Sequence, residues 1–180
     1  MIAGPSGVGK GTLVRRLLAA HPEIRLSVSV TTRPPRPSER DGVDYRFVSD
    51  DEFDRLIEGG ELLEWAGIVG HRSGTPAGPV EETLRNGTDV LLEIDVKGAF
   101  QVRERVDGAL LVFLEPPSLE ELERRLRSRG TEDEARLSRR LETAAWELEQ
   151  RGAFDHVVVN DDLERATAQV EAILQAARSR

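Results

Sequence analysis

The stretch that most constrains the fold of this chain is GPSGVGKGT, at residues 4–12. Its glycines at positions 4, 7 and 9 permit positive φ angles, so successive backbone N–H groups can turn toward one anion. The spacing Gly4-x4-Gly9-Lys10 is that of a phosphate-binding loop, which joins the end of a strand to the first turn of a helix. The chain is therefore expected to contain a strand, this loop and a helix, in that order.

The loop departs from the usual pattern at one position. Ser or Thr normally follows the lysine and binds Mg²⁺, whereas here Gly11 follows it and Thr12 comes next. Lys10 is predicted to reach the β and γ phosphates of a nucleotide, and Thr12 is a candidate metal ligand. The predicted nucleotide-binding residues of the loop are Gly4, Pro5, Ser6, Gly7, Val8, Gly9, Lys10, Gly11 and Thr12.

Apolar runs and helical periodicity alternate along the rest of the chain. The runs RLSVSVTT, DVLLEID, ALLVFLE and HVVVND are typical of short buried strands, and helices are predicted at 10–20, 118–128, 132–150 and 162–178. This alternation predicts an α/β fold, a P-loop NTPase-type parallel sheet flanked by helices. Only Met1, Ile2 and Ala3 are available for the first strand, so we expect the native start to lie upstream of Met1.

Residues 33–80 break this alternation with five prolines and a series of glycines. They are predicted to form an inserted lobe of turns and short strands, with one helix near 50–59 that opens at Ser49 or Asp50.

Composition excludes several classes of function. The net charge of −8 disfavours a nucleic-acid partner, because phosphate backbones repel acidic surfaces. No apolar run approaches the roughly 20 residues that span a bilayer, so no membrane partner is expected. The chain has no cysteine, which excludes disulfides and thiolate metal sites. A cytoplasmic location is the default expectation, and the oligomeric state, monomer or homo-oligomer, stays open.

A second phosphate site is predicted in residues 27–49. Arg33, Arg36 and Tyr45 lie close together in this segment. Guanidinium groups match phosphate oxygens in bidentate fashion, and the surrounding prolines stiffen the loop.

With these motifs and others along the chain, the sequence resembles guanylate kinase. The matching pieces cover nearly the whole chain in the right order: GPSGVGKGT, SVTTRPPRP, DGVDYRFVS, EFxxLIxxGELLEWA, SGTP, LLEIDVKGA, EPPSLEELERRLRSRG and VVVNDD. The resemblance implies that ATP, with Mg²⁺, phosphorylates GMP to GDP, and that dGMP is also accepted. It also implies one domain over 1–180, with a core of 1–32, 81–123 and 144–180, a GMP-binding lobe of 33–80 and a lid of 124–143.

The resemblance assigns further residues. Arg33, Arg36 and Tyr45 match positions that hold the GMP phosphate, while Ser29, Glu64 and Thr75 match positions that read guanine. A carboxylate can accept both N1–H and the N2 amino group of guanine, whereas N1 of adenine is an acceptor that would repel it. Taken alone, Glu64 would be an ordinary exposed acid. Asp95 matches an acid near GMP and magnesium, which it would contact directly or through water.

Three lid arginines, Arg125, Arg129 and Arg140, match catalytic positions, with Arg136 and Arg139 as substitutes in case of a register shift. Asn160 matches a position near the adenine of ATP. Ser73 stands where the family often carries a tyrosine that contacts the GMP phosphate, so a modestly weaker GMP affinity is expected.

Two other functions stay open from the sequence. A guanylate kinase-like domain can be a non-catalytic binding module, and a P-loop kinase can act on another phosphorylated acceptor. The intact loop disfavours the first, and the Ser29, Glu64 and Thr75 set disfavours the second.

Overall fold

The computed structural model describes residues 1–68, 70–128 and 134–179. In chain order its elements are β1 (Ile2–Ala3), α1 (Lys10–Ala20), β2 (Arg25–Leu26), β3 (Val30–Thr31), β4 (Arg46–Phe47), α2 (Asp50–Glu58), β5 (Leu62–Ile68), β6 (His71–Pro76), α3 (Ala77–Arg85), β7 (Val90–Leu91), α4 (Val96–Arg105), β8 (Val112–Glu115), α5 (Leu119–Ser128), α6 (Glu134–Glu149), β9 (His156–Val159) and α7 (Leu163–Arg178).

The chain divides into two compact units. The first comprises Met1–Pro22, Glu93–Val96 and Leu110–Arg180, and the second comprises Glu23–Leu92 and Lys97–Ala109. The predicted division into core, lobe and lid stays a prediction.

The first unit is built on a parallel sheet of order β1-β8-β9. Ile2 pairs with Val112, and Val112 pairs with His156. β8 is apolar and buried from Val112 to Leu114, as expected for a central strand covered on both faces. Helices α1, α5, α6 and α7 belong to this unit, so the predicted α/β fold with a parallel sheet flanked by helices is confirmed.

The second unit contains a four-stranded sheet of order β4-β3-β6-β5 and a separate parallel pair, β2-β7. β5 and β6 form an antiparallel hairpin in which Glu64 lies opposite Thr75. Beneath the hairpin, Phe53 of α2 is fully buried in a cluster with Val30, Leu56 and Leu62. The hairpin is therefore supported by the one helix that the sequence placed in this segment.

The starts of α1 and α2 follow the sequence prediction closely. α1 begins at Lys10, directly after Gly9 of the predicted loop. α2 begins at Asp50 because the hydroxyl of Ser49 accepts a hydrogen bond from the backbone N–H of Glu52, at 3.1 Å. Within the described residues, every helix is too short or too polar to cross a bilayer.

Two sequence expectations were incomplete. The run RLSVSVTT is not one strand: Arg25–Leu26 pairs with β7, whereas Val30–Thr31 pairs with β4 and β6. The sequence also missed two helices: α3, because its prolines and glycine are typical of a turn, and α4. Pro76 is the N-cap of α3 and Pro79 lies in its first turn, where a missing backbone N–H costs little.

Gly74 of β6 allows the hairpin strands to approach closely. A Cβ at this position would lie 2.7 Å from the carbonyl oxygen of Glu64 and 3.0 Å from the Cβ of Trp65. We therefore expect Gly74→Ala to lower the free energy of unfolding by about 1–3 kcal/mol, measured by urea denaturation. Gly67→Ala is the matched control, since a Cβ there meets no atom within 4 Å. Equal stability of the two variants would contradict this explanation.

Candidate active site

The predicted phosphate-binding loop lies between β1 and α1 in the first unit. Gly9 is the N-cap of α1 and has a φ of 102°, in the region that favours glycine. A Cβ at Gly9 would lie 2.5 Å from Nδ2 of Asn160. That amide is buried and donates to the carbonyl oxygen of Val8 at 2.8 Å. Asn160, which directly follows β9, therefore fixes the conformation of the loop.

Lys10 folds back along the loop. Its Nζ donates to the carbonyl oxygens of Gly4 at 2.6 Å and Pro5 at 3.2 Å. The ammonium is thus held beside the backbone of the loop. A lysine ammonium is a compact charge with three rotatable donors, so it can exchange such carbonyls for phosphate oxygens.

Two of the predicted catalytic arginines contact the loop. Arg125 of α5 donates to the carbonyl oxygens of Val8 at 3.2 Å and Asn160 at 3.0 Å. Arg140 of α6 donates to the hydroxyl of Ser6 at 2.5 Å. The first unit therefore brings together the loop, Arg125, Arg140 and Asn160.

The other arginines of the predicted lid differ in their surroundings. Arg129 lies outside the described residues, while Arg136 and Arg139 are exposed on α6. Arg125 is held by an acid that the sequence did not single out: Nε of Arg125 donates to Oε1 of Glu121 at 2.8 Å. Hydrogen bonds from Arg124 and Arg125 lower the pKa of Glu121 to about 2.

A further acid lies beside the start of α1. A Cβ at Gly11 would meet the Oε1 and Oε2 atoms of Glu93 at 3.3 and 3.5 Å. Glu93 follows β7 and forms an isolated bridge with Ile2. Burial raises the pKa of Glu93, and the nearby charges of Lys10 and Arg15 oppose this shift. In the sequence Glu93 stands two residues before Asp95, on the same face of the predicted strand. Its position beside Gly11 could not be predicted, because the two residues are far apart along the chain.

The residues around Gly11 fit a magnesium ion that arrives with a nucleotide. Mg²⁺ commonly takes one or two protein oxygens and completes its shell with phosphates and water. Glu93 supplies carboxylate oxygens, and the Thr12 hydroxyl, which accepts from Arg15 at 3.3 Å, lies in the same first turn. Asp95 is half-buried in the same unit. No cluster of three His, Asp or Glu side chains suited to a metal occurs within 1–68, 70–128 and 134–179.

The second unit contains the predicted phosphate trap. The guanidinium of Arg33 lies over the Tyr45 ring, 5.2 Å from its centroid, and 5.7 Å from that of Phe47. The same guanidinium makes a bidentate ion pair with Glu39, in which Nη1 donates to Oε2 at 2.8 Å and Nη2 donates to Oε1 at 2.9 Å. The structure thus brings Arg33 and Tyr45 together and adds Glu39, an acid that the sequence did not single out.

The predicted guanine-reading residues Glu64 and Thr75 are in direct contact. The hydroxyl of Thr75 donates to Oε1 of Glu64 at 2.6 Å. Glu64 is 5% exposed and Thr75 is fully buried, so Glu64 is not the ordinary surface acid that its position alone suggested. Ser29 is half-buried, and its carbonyl accepts from the backbone of Arg46. A buried carboxylate aligned by a hydroxyl is suited to reading paired N–H donors.

Ser73 and Arg72 have structural partners. The hydroxyl of Ser73 donates to the carbonyl of Val30 at 3.1 Å. Arg72 forms ion pairs with Asp50 and Asp54 of α2, and its guanidinium lies 4.8 Å from the centre of the Phe53 ring. These contacts tie β6 to α2.

Comparisons with known proteins agree with one another. The model of the family described as guanylate kinase matches residues 1–177. A guanylate kinase of Synechococcus sp. (strain JA-3-3Ab) is 55% identical over 97% of this chain and 80% of its own. The enzyme of the same name from Thermobifida fusca (strain YX) is 54% identical over 98% of this chain and 90% of its own. The crystal structure of guanylate kinase from Anaplasma phagocytophilum superposes with a TM-score of 0.82 at 36% identity, covering 100% of this chain and 86% of that one.

Proposed function

The chain belongs to the guanylate kinase family, and from this premise we propose which of its residues carry out the reaction. The protein is a nucleoside monophosphate kinase that transfers the γ-phosphate of ATP to GMP, giving ADP and GDP. The observation that supports guanine as the base is the buried Glu64 carboxylate with its Thr75 hydrogen bond.

ATP binds through its phosphates to the loop of Gly4–Thr12. Lys10 leaves the carbonyls of Gly4 and Pro5 and bonds the β and γ phosphates. Arg125 and Arg140 reach the same loop and stabilise the charge that develops on the transferred group. Arg129 is proposed to share this role, as the family resemblance implies. Asn160 supports the loop through Val8, and its proposed adenine contact rests on the resemblance.

GMP binds to the second unit through its phosphate and its base. Arg33, Arg36 and Tyr45 hold the phosphate, and Ser29, Glu64 and Thr75 read guanine. The GMP phosphate is already a nucleophile, so no covalent enzyme intermediate is required. The protein aligns the reactants and supplies positive charge, while water is excluded so that ATP is not hydrolysed.

We propose Mg²⁺ as the cofactor that enters with ATP, where Thr12, Glu93 and Asp95 would hold it directly or through water. When bound, it neutralises charge on the phosphate oxygens.

Two alternatives are less well supported. A non-catalytic binding module needs neither Lys10 nor two arginines that contact the phosphate loop, and this chain has all three. A kinase for a sugar phosphate has no need of a buried carboxylate paired with a threonine hydroxyl. A cytoplasmic location, and the lack of nucleic-acid and membrane partners, stay predictions from the sequence.

An acceptor panel tests the proposal. With ATP and Mg²⁺ present, ADP release is measured with GMP, dGMP, AMP and ribose 5-phosphate. We expect turnover with GMP and dGMP, since no residue is assigned to the ribose 2′-hydroxyl. kcat/KM for AMP should be at least about 10⁴-fold lower than for GMP, because the N1 acceptor of AMP faces Glu64. Comparable rates with AMP or ribose 5-phosphate would contradict the assignment of Glu64.

A further inference from the structure

We propose that Glu39 is a positioning residue of the GMP-phosphate site, which holds Arg33 with one edge of its guanidinium presented to the phosphate. This inference rests on the proposed role of Arg33 in binding that phosphate. All of the residues that carry it, from Arg33 to Phe47, lie in the second unit.

Glu39 occupies one edge of the Arg33 guanidinium. Nη1 donates to Oε2 at 2.8 Å and Nη2 donates to Oε1 at 2.9 Å, which is an end-on fork. Nη1 also donates to the carbonyl of Pro34 at 2.8 Å. A guanidinium has five N–H groups, so these bonds to Glu39 and Pro34 leave one on Nη2 and one on Nε, which together form its second, side-on fork. That fork matches two oxygens of a phosphate. The side chain of Tyr45, itself proposed to hold the phosphate, also makes a hydrogen bond with this guanidinium.

The carboxylate of Glu39 is itself fixed by the backbone. Oε2 accepts from the backbone N–H of Arg36 at 2.8 Å, and the backbone N–H of Glu39 donates to the carbonyl of Arg36 at 2.9 Å. The side chain of Glu39 is only 11% exposed, whereas that of Arg36 is 71% exposed. Glu39 is therefore built into the turn, and a phosphate would add to this arrangement without displacing the acid.

Charge supports the same conclusion. The Arg33 guanidinium holds the pKa of Glu39 below its usual range, so the acid is ionised at neutral pH. The aromatic rings of Tyr45 and Phe47 lie against Arg33, which leaves its guanidinium few other orientations. Together, the carboxylate and the rings determine the direction of the fork.

The test compares a ligand that carries the phosphate with one that lacks it. In Glu39→Gln, the amide replaces one acceptor with a donor that faces Nη1 or Nη2, so the end-on fork is lost. We expect KM for GMP to rise about tenfold or more, with a smaller change in kcat at saturating GMP. Guanosine, measured as a competitive inhibitor, should bind within about twofold of its affinity for the parent protein, since its base contacts are untouched.

Three variants accompany this measurement. Glu52→Gln is the matched control, because Glu52 also pairs with an arginine of the second unit, Arg46, at 2.5 Å, but has no proposed role in binding GMP. Glu39→Asp keeps the charge, and is expected to recover part of the GMP affinity; it also replaces the Gln variant if that variant does not fold. Arg33→Lys tests the phosphate site itself.

Each outcome has a distinct meaning. A GMP KM that is unchanged or lower in Glu39→Gln, while Arg33→Lys raises it, overturns the role of Glu39 alone. Equal losses of GMP and guanosine affinity also overturn it, since they indicate a disordered turn and not a lost phosphate contact. An unchanged GMP KM in Arg33→Lys overturns the proposed phosphate site, and the role of Glu39 with it.

Discussion

Replacing Lys10 with alanine is expected to lower kcat for GDP formation about a thousandfold. Lys10 is proposed to bond the β and γ phosphates, where charge moves during transfer. Its ammonium already lies against the loop, 2.6 Å from the carbonyl oxygen of Gly4. Because the interaction strengthens as the transition state forms, the loss should fall on kcat more than on KM for GMP. The measurement is a coupled assay of ADP release at saturating GMP.

The control for this variant is Arg16→Ala, on the same helix. Arg16 is exposed and pairs with Glu164 on α7, so its loss should leave turnover within about twofold of the parent value. Lys10→Arg should stay strongly impaired, because a planar guanidinium cannot replace a compact ammonium in a tight loop. Near-normal turnover of Lys10→Ala, with the fold intact by circular dichroism, would contradict the proposed mechanism.

Replacing Glu64 with glutamine is expected to lower kcat/KM for GMP about 10³–10⁴-fold. The two side chains have nearly the same shape, but the amide group places a donor where guanine presents its own donors. Glu64 is 5% exposed, so water cannot readily take over the lost contact. kcat/KM for AMP should change far less, and the ratio of the two substrates measures the loss of discrimination.

The free energy of unfolding of Glu64→Gln must be measured as well, because Glu64 also accepts a hydrogen bond from the Thr75 hydroxyl. Glu61→Gln is the matched control, since Glu61 is exposed just before β5 and has no assigned contact with GMP. An unchanged preference for GMP over AMP in Glu64→Gln would mean that another group reads the base.

Sequence patterns predicted the parts of the fold that are determined locally. The start of α1 follows from the loop that precedes Lys10, and the start of α2 follows from the Ser49 cap. The two strands within RLSVSVTT could not be separated, because partners elsewhere in the chain decide where each one begins. α3 was missed for a different reason: prolines disrupt a helix interior but are tolerated in its first turn, which only the structure locates.

In the candidate site, too, some residues could be predicted from local sequence and others depend on partners elsewhere in the chain. The residues proposed to contact a ligand, such as Arg33 and Glu64, stand in sequence pieces that match the family. Glu39 and Glu121 bind arginines of the protein itself, so no motif for phosphate or guanine includes them as ligands. The sequence does contain one signal for Glu39, which is a single acid among three arginines at positions 33, 36 and 40. Opposite charges three residues apart are too common to indicate a function by themselves.

The most direct test of the central claim is the stoichiometry of the products. The protein is incubated with ATP labelled in the γ position, GMP and Mg²⁺, and all nucleotides are separated by chromatography. We expect one ADP for each GDP, with the label in the β position of GDP and almost no free phosphate. ADP formed with free phosphate in place of labelled GDP, or no ADP at all with a folded protein, would contradict the assignment of this chain as a kinase of GMP.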